Sequence, residues 1–397
     1  MTDIGEALFG IDRGDPYPTY HRVRGDGLHE SGLGLWFATD HASCTAILRD
    51  HRFSPNAKHL PDYAPSPPEY YAEGKAIPTD SLLSMDPPEH TRVRRLVSRT
   101  FTPRAIAEIR EFTETTTNAL IDELREASTF DLIDRFAFPI PLAVICRILG
   151  VPAADHQQFR RWGEDLVPML DPIQTEEQIA TARVADAELT AYLDRLIEDK
   201  RHARADDLLS ELIEAEESGD KLTHDELLSA ASLILGAGFE TTVNLIGNGM
   251  LALLGHPDQL TMLRADPGRL SNAIDELLRY DSPVQMTGRI AVEAVTLNNR
   301  ELTAGTNVVV LLGSANRDPS VFAAPDRLDV TRPNAAEHIA FSSGTHHCLG
   351  ASLARMEGQV ALGALVTQLH ELHPAGEPTW RDTLVLHGLR SLPLGCA

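Results

Sequence analysis

Ten consecutive residues, Phe341-Ser342-Ser343-Gly344-Thr345-His346-His347-Cys348-Leu349-Gly350, gather the side chains most able to do chemistry in this chain. A loop that brings its backbone close to a large flat cofactor needs glycine where a Cβ would collide, and Gly344 and Gly350 bracket a single thiol. Residues 349–366 carry Ala and Leu with apolar positions at helical spacing, so Cys348 sits where a helix begins. The positive end of the helix dipole favours a thiolate over a thiol there. Such a sulfur is an anionic, soft ligand for iron. Zinc is a poorer reading of His346, His347 and Cys348, because adjacent side chains diverge and no second ligand pair stands at zinc spacing.

Phe341, Gly344, His346, Cys348 and Gly350 reproduce, in type and spacing, a pattern that resembles the heme-binding loop of the cytochrome P-450 family. A chance match in a chain this long has odds on the order of one in ten thousand or less. Two features depart from the pattern: the family often has Gly where Ser342 stands, and His347 is not part of it. The resemblance implies heme b, with Cys348 as the axial ligand of its iron and the other four residues at the cofactor.

Three further stretches are similar to motifs of the same family, in the family's order. Ala237-Gly238-Phe239-Glu240-Thr241-Thr242 matches the acid and alcohol motif of its long distal helix. By resemblance Gly238 lines the oxygen groove, Thr241 hydrogen-bonds the bound oxygen and Glu240 relays protons through water. The competing reading is a helix kinked by hydroxyls that bond back to its carbonyls. Glu276 and Arg279 match the Glu-x-x-Arg pair, a buried structural pair whose third partner is expected to be Arg327, with Arg332 as second choice. His90 and Arg94, four apart and hence on one helical face, resemble the propionate-binding helix, and Arg289 and His346 match the other propionate contacts. A solvated basic stripe is the alternative for these cations. Arg92, Arg95, Arg99 and Arg104 form either a patch that docks an acidic electron donor or a solvated face.

The elements that must position these groups are mostly helical. Short Pro-punctuated elements open the chain: residues 35–38 read as a strand, and Asp40 caps a helix to about Asp50. Residues 54–84 read as a long loop that either covers substrate or makes a surface excursion. Helices are predicted over 88–100, 103–127, 139–149, 154–170, 176–201 and 205–217, with Leu170-Asp171-Pro172 breaking the run so that two neighbours move as a lid. Thr223 and Glu226 form a capping box that opens a helix to Leu254. At about 48 Å that helix spans a domain. Its glycines and polar residues from Gly236 to Asn244 are costly in a purely structural buried helix. Beyond it, residues 292–297, 301–303 and 306–312 read as a small sheet.

Composition sets the outer bounds. The chain has 397 residues, 43% hydrophobic and 23% charged, as in a globular protein with a large core. A net charge of −23 argues against nucleic acid as the main partner. No uninterrupted apolar run of membrane-spanning length occurs, and the start lacks the basic and apolar regions of a secretory signal. Four distant cysteines suit a reducing cytoplasm. The expectation is a single domain over residues 1–397, a cytoplasmic monomer, mainly α with a minor β region. It has the cytochrome P-450 fold, with heme held between a long central distal helix and the Cys loop that precedes a proximal helix.

The implied activity is a monooxygenase that inserts one atom of O2 into a hydrophobic small molecule by hydroxylation or epoxidation. No Gly-x-Gly-x-x-Gly fingerprint is present, so electrons are expected from separate proteins, a ferredoxin and its reductase. A peroxide-driven peroxygenase and a heme protein that binds or senses a ligand without turnover are the alternatives. Substrate identity is not encoded in any motif.

Overall fold

The computed structural model describes residues 3–25, 27–32, 34–61, 81–217 and 222–396. Most of the loop predicted over 54–84 lies outside these residues.

The longest element is the helix His224–Gly255. Its start is fixed by the expected capping box: Thr223 Oγ1 accepts from Glu226 N at 3.2 Å, and Glu226 Oε2 accepts from Thr223 N at 2.9 Å. Such a cap contributes about 1 kcal/mol. Glu226 also pairs with Arg92, with Arg92 Nη1 donating to Oε2 at 3.0 Å. Arg92, read from sequence as part of either a docking patch or a solvated face, ties the helix Glu89–Val97 to the start of the long one. By length and hydropathy the long helix is able to cross a membrane, yet 72% of its most apolar stretch is buried. It packs against helices Pro139–Leu149, Glu176–His202, Leu270–Tyr280 and Ala351–Gln368, so its apolar character serves a protein core.

The other helices stand close to their expected bounds. Pro103–Arg125 begins with Pro in its first turn and Thr102 Oγ1 accepting from Ala105 N. His156–Leu166 and Glu176–His202 are separated by a short 3-10 turn and a break at residues 171–175. The break is anchored: the Asp171 carboxylate accepts from Leu384 N at 2.9 and 3.0 Å and from Val385 N at 2.8 Å. A segment that reads as a free joint of a lid is therefore tied to the C-terminal part of the chain.

The principal sheet has five strands, in the order Leu28–Glu30, Trp36–Ala38, Asn307–Val310, Thr287–Ala291 and Phe53–Ser54. The small sheet read from sequence differs from this in two ways. Val295–Leu297 and Arg300–Leu302 form a separate hairpin through Asn298 and Asn299, both with positive φ. Arg289, expected to precede the sheet, lies within it, opposite Val308. Three successive buried residues, Arg289, Ile290 and Ala291, show why alternation did not reveal this strand.

Candidate functional site

The Cys348 loop sits on the end of the helix His41–Arg49. Gly344 has φ 69°, and a Cβ there would collide with the Leu48 carbonyl. Its glycine is thus required by the protein's own backbone, a demand the sequence did not show. Gly350 has no such constraint: a Cβ would meet only Cys348 Sγ, at 4.0 Å. Ser342 explains the family's preference for glycine at its position, because its φ is 61°. Its buried Oγ has no hydrogen-bond partner among the described residues. The loop closes through Cys348 N donating to Phe341 O at 2.9 Å, and the helix Ala351–Gln368 follows with Gly350 as its cap.

Cys348 is exposed, although protein crowds around its sulfur. Burial among those atoms pushes its thiol up from the ordinary value, while the Gly350 N–H, Arg94 and Arg355 pull it down. The helix end therefore does not by itself secure the anion, as the sequence suggested. Coordination to a cation would. Phe341, half-buried, carries the Arg355 guanidinium 4.6 Å from its ring centroid. Arg355 in turn pairs with Asp275 at 2.7 Å, and Asp275 meets His338 at 3.2 Å. Sequence reading missed this second set of charges, whose members stand far apart in the chain.

The three residues expected at propionates converge with His346. His90 is 1% exposed, and neither of its ring nitrogens has a hydrogen-bond partner among the described residues. Its ring lies 4.3 Å from that of His346. Arg94 Nη2 donates to His347 O at 2.6 Å. Arg289, 4% exposed, donates among the described residues only to Thr287 Oγ1 at 3.2 Å and Gly288 O at 2.7 Å. Burial lowers its pKa to about 10. The His346 imidazole is lowered to about 4, first by burial and then by His90, Arg289 and Arg94. The Asp86 carboxylate, whose charge reaches His90 and His346, is engaged by Ser54 Oγ at 2.6 Å and by His59 at 2.9 Å. A buried guanidinium without a carboxylate, beside an imidazole with both nitrogens idle, needs an anionic partner. Two carboxylates on a flat apolar ring, carrying a metal that takes a thiolate, meet these demands.

On the long helix, Gly236, Ala237, Gly238 and Thr241 are partly or fully open, while the residues around them are buried. Gly238 is not where the open space comes from: a Cβ there would meet Ile145 Cδ1 at 2.6 Å, whereas at Gly236 it would meet nothing within 4 Å. The missing side chain of Gly238 lets the helix Pro139–Leu149 approach. Thr241 Oγ1 donates to Ala237 O at 3.2 Å, the back-bonded arrangement weighed as the alternative. Glu240 is 1% exposed and lies 3.0 Å from Arg381 Nη2. The contact is an ion pair by distance without hydrogen-bond angles, and both carboxylate oxygens lack a hydrogen-bond partner among the described residues. No hydrogen bond joins Glu240 to Thr241. Burial raises the Glu240 pKa, against the Arg381 charge.

The expected Glu276 and Arg279 pair is fully buried, with Arg279 Nε donating to Oε2 at 2.7 Å and Nη2 to Oε1 at 2.9 Å. Its third partner is Arg332, whose Nε lies 3.0 and 3.1 Å from the same carboxylate. Arg327, the first choice from sequence, contributes its carbonyl, which accepts from Arg332 at 2.9 Å and Arg279 at 3.3 Å. Side-chain type favoured either arginine, and only the fold shows that Arg332 is the one that points inward. Also missed was Glu357, buried on the helix after the thiol beside Thr242, with its pKa raised to about 8 by burial. A groove between helices His156–Leu166 and Glu176–His202, lined by Trp162, Glu188 and Tyr192, contains none of the site residues.

A long helix opened at its middle, a thiol at the head of a second helix and a set of buried cations without an anion define a heme-thiolate protein. A family profile for cytochrome P-450 matches residues 57–386. The chain is 40% identical over 406 residues to the cytochrome P-450 monooxygenase PikC of Streptomyces venezuelae, covering 99% of this chain and 94% of that one. It is 40% identical over 389 residues to the vitamin D(3) 25-hydroxylase of Pseudonocardia autotrophica, covering 96% and 93%. The crystal structure of P-450 BioI, in complex with an acyl carrier protein ligated to hexadec-9Z-enoic acid, superposes with a TM-score of 0.90 at 34% identity, over 99% of this chain and 100% of that chain. The protein belongs to the cytochrome P-450 family. It is a monooxygenase that uses heme b, O2 and electrons from redox partners to oxidise a small molecule.

Proposed function

We propose that Cys348 would hold the heme iron through its sulfur and that His90, Arg94, Arg289 and His346 would hold the heme's propionates. The observation that carries this reading is the cluster of cationic and imidazole groups that, among the described residues, has no carboxylate of its own. When bound, heme supplies the activation of O2 for insertion into a C–H or C=C bond. The chain's own residues do the rest. Arg289 and Arg94 donate charge-assisted hydrogen bonds at the cofactor's edge, and Phe341, fixed by Arg355, closes the apolar side of the thiol. Gly344 and Gly350 shape the loop that presents the sulfur. Thr241 sits at the opening of the long helix and offers its hydroxyl to the distal side, with Ala237 O as its resting acceptor. Glu240 relays protons from water to that side, and Gly238 sets the spacing of the helix against Ile145.

The proposed substrate is a hydrophobic molecule, in keeping with a relative named as a vitamin D(3) 25-hydroxylase and another bound to a carrier protein ligated to hexadec-9Z-enoic acid. The proposed electron donors are a ferredoxin and its reductase. We read residues 1–397 as one domain of a cytoplasmic monomer. Replacing Cys348 by Ser tests the ligand assignment. The expected result is that the reduced, carbon-monoxide-bound variant loses the parent's absorption band while the protein stays folded. A spectrum identical to the parent's, or a parent that never contains porphyrin, would sink the reading.

A further inference from the structure

We propose that Arg381 is a positioning residue for Glu240, holding the buried acid from the C-terminal hairpin so that it can exist as an anion between proton transfers. This rests on the reading of Glu240 as the proton-relaying acid.

A relay must both release a proton and take one back. A carboxyl buried to 1% exposure with no cation beside it would stay protonated, and one clamped by a bidentate guanidinium would stay ionised. Glu240 is in neither condition. Arg381 Nη2 stands 3.0 Å from Oε1, off hydrogen-bond angle, and Arg381 Nε has no hydrogen-bond partner among the described residues. The cation is close enough to set the charge of Glu240 and too loosely seated to lock it. The other charges that reach Glu240 are Glu164 and Arg160, both on the helix His156–Leu166 and of opposite sign. Arg160 already pairs with Glu164 and Asp134. Arg381 is thus the cation that answers Glu240.

The hairpin delivers this arginine rigidly. Arg381 N donates to Gly388 O at 3.0 Å, and the Trp380 ring stacks on His387 at 4.5 Å and 14°. His387 pairs with Asp281 at 3.1 Å, and the turn of the hairpin is bonded to Asp171, at the break between helices His156–Leu166 and Glu176–His202. The acid on the long helix and the joint of those two helices therefore share one support.

The reaction takes RH, O2, two electrons and two protons to ROH and water. When protons fail to arrive in order, O2 leaves with the same two electrons and two protons as hydrogen peroxide. Glu240 gives a proton to the distal side and regains one from water, so it is unchanged over a cycle.

The test compares R381Q, R381K and E240Q with the parent, all as full-length heme-loaded enzyme supplied with a ferredoxin and its reductase, and a substrate chosen by its spin-state shift. The infrared carbonyl band of protonated Glu240, identified by its loss in E240Q, reports the acid directly. In R381Q the pH at which this band disappears is expected to rise by about one to three units. Product formed per O2 consumed should fall at least about tenfold, with hydrogen peroxide making up the balance. The spin-shift dissociation constant should stay within about twofold, since Arg381 acts through Glu240. R381K should return both the midpoint and the yield towards the parent's, and it carries the test if R381Q does not retain heme. An unmoved midpoint in R381Q or, where R381Q loses heme, an R381K midpoint displaced from the parent's by as much as that rise overturns the proposal. If E240Q makes product like the parent, the acid reading itself fails, whatever the infrared midpoint shows.

Discussion

Two clusters of buried charge in this protein are built on opposite terms. Around Glu276 every charge is answered within the chain: one carboxylate meets Arg279 and Arg332, the Asp329 N–H adds a bond at 2.9 Å, and the guanidinium hydrogens left over reach the carbonyls of Asn316, Pro325 and Ala323. Around His346 the sum does not close. Among the described residues Arg289 finds only neutral oxygens, both nitrogens of His90 are idle, and the Asp86 carboxylate is engaged by Ser54 and His59. A closed cluster stabilises a fold, and an open one of the same burial is explained by something that binds. The contrast separates scaffold from site more sharply than residue type does, since both clusters are made of arginines and acidic or imidazole groups.

Breaking the closed cluster should give the largest effect. Arg279→Ala strands the carbonyls of Asn316 and Pro325 at a buried position, and leaves Glu276 with Arg332 and the Asp329 N–H. The expected loss is about 3–5 kcal/mol, read as a large drop in the denaturation midpoint of both heme-free and heme-loaded protein. If only the heme-loaded form were affected, the cluster would belong to the site and the distinction would be lost.

The open cluster should respond the other way. Arg289→Met removes a buried guanidinium that has no carboxylate, so the heme-free protein is expected to unfold at the same midpoint or a higher one. Heme retention, followed as transfer to an excess of a heme acceptor, should fall by about tenfold to a hundredfold, the worth of one charge-assisted hydrogen bond. Equal retention, with a clear loss of stability in the heme-free chain, would show that Arg289 is a structural cation like Arg279.

The same contrast explains what could be read from the sequence. The long helix and its start were legible because Thr223 and Glu226 are a local signal and the apolar run after them is long. The thiol loop was legible because its residues are consecutive. The chain order of His90, Arg94, Arg289 and His346 was legible only through resemblance, and the openness of their cluster was not, because it depends on where Asp86 turns. Partners set by folding escaped: Arg332 in place of Arg327, Arg381 beside Glu240, and Asp275 with Arg355. Each joins elements whose approach is fixed by packing, and no spacing within the sequence records it. The packing role of Gly238 was hidden for the same reason, since only the position of Ile145 shows which side of the helix its missing side chain faces.

The smallest expected effect concerns the loop that lies between these regulated surroundings and the thiol. Ser342 holds φ at 61°, a left-handed conformation that costs a residue with a Cβ about 1–2 kcal/mol, and its hydroxyl gains no bond there among the described residues. Ser342→Gly removes that strain but adds freedom to the unfolded chain, which takes back about 0.5–1 kcal/mol. The net expectation is a gain of about 0.5–1 kcal/mol, visible as a denaturation midpoint slightly above the parent's with unchanged heme retention. A loss of stability would mean that the serine side chain is held by a contact stronger than the backbone strain. In that case this chain's departure from the family's usual glycine would be a feature of the site and not a cost carried by the scaffold.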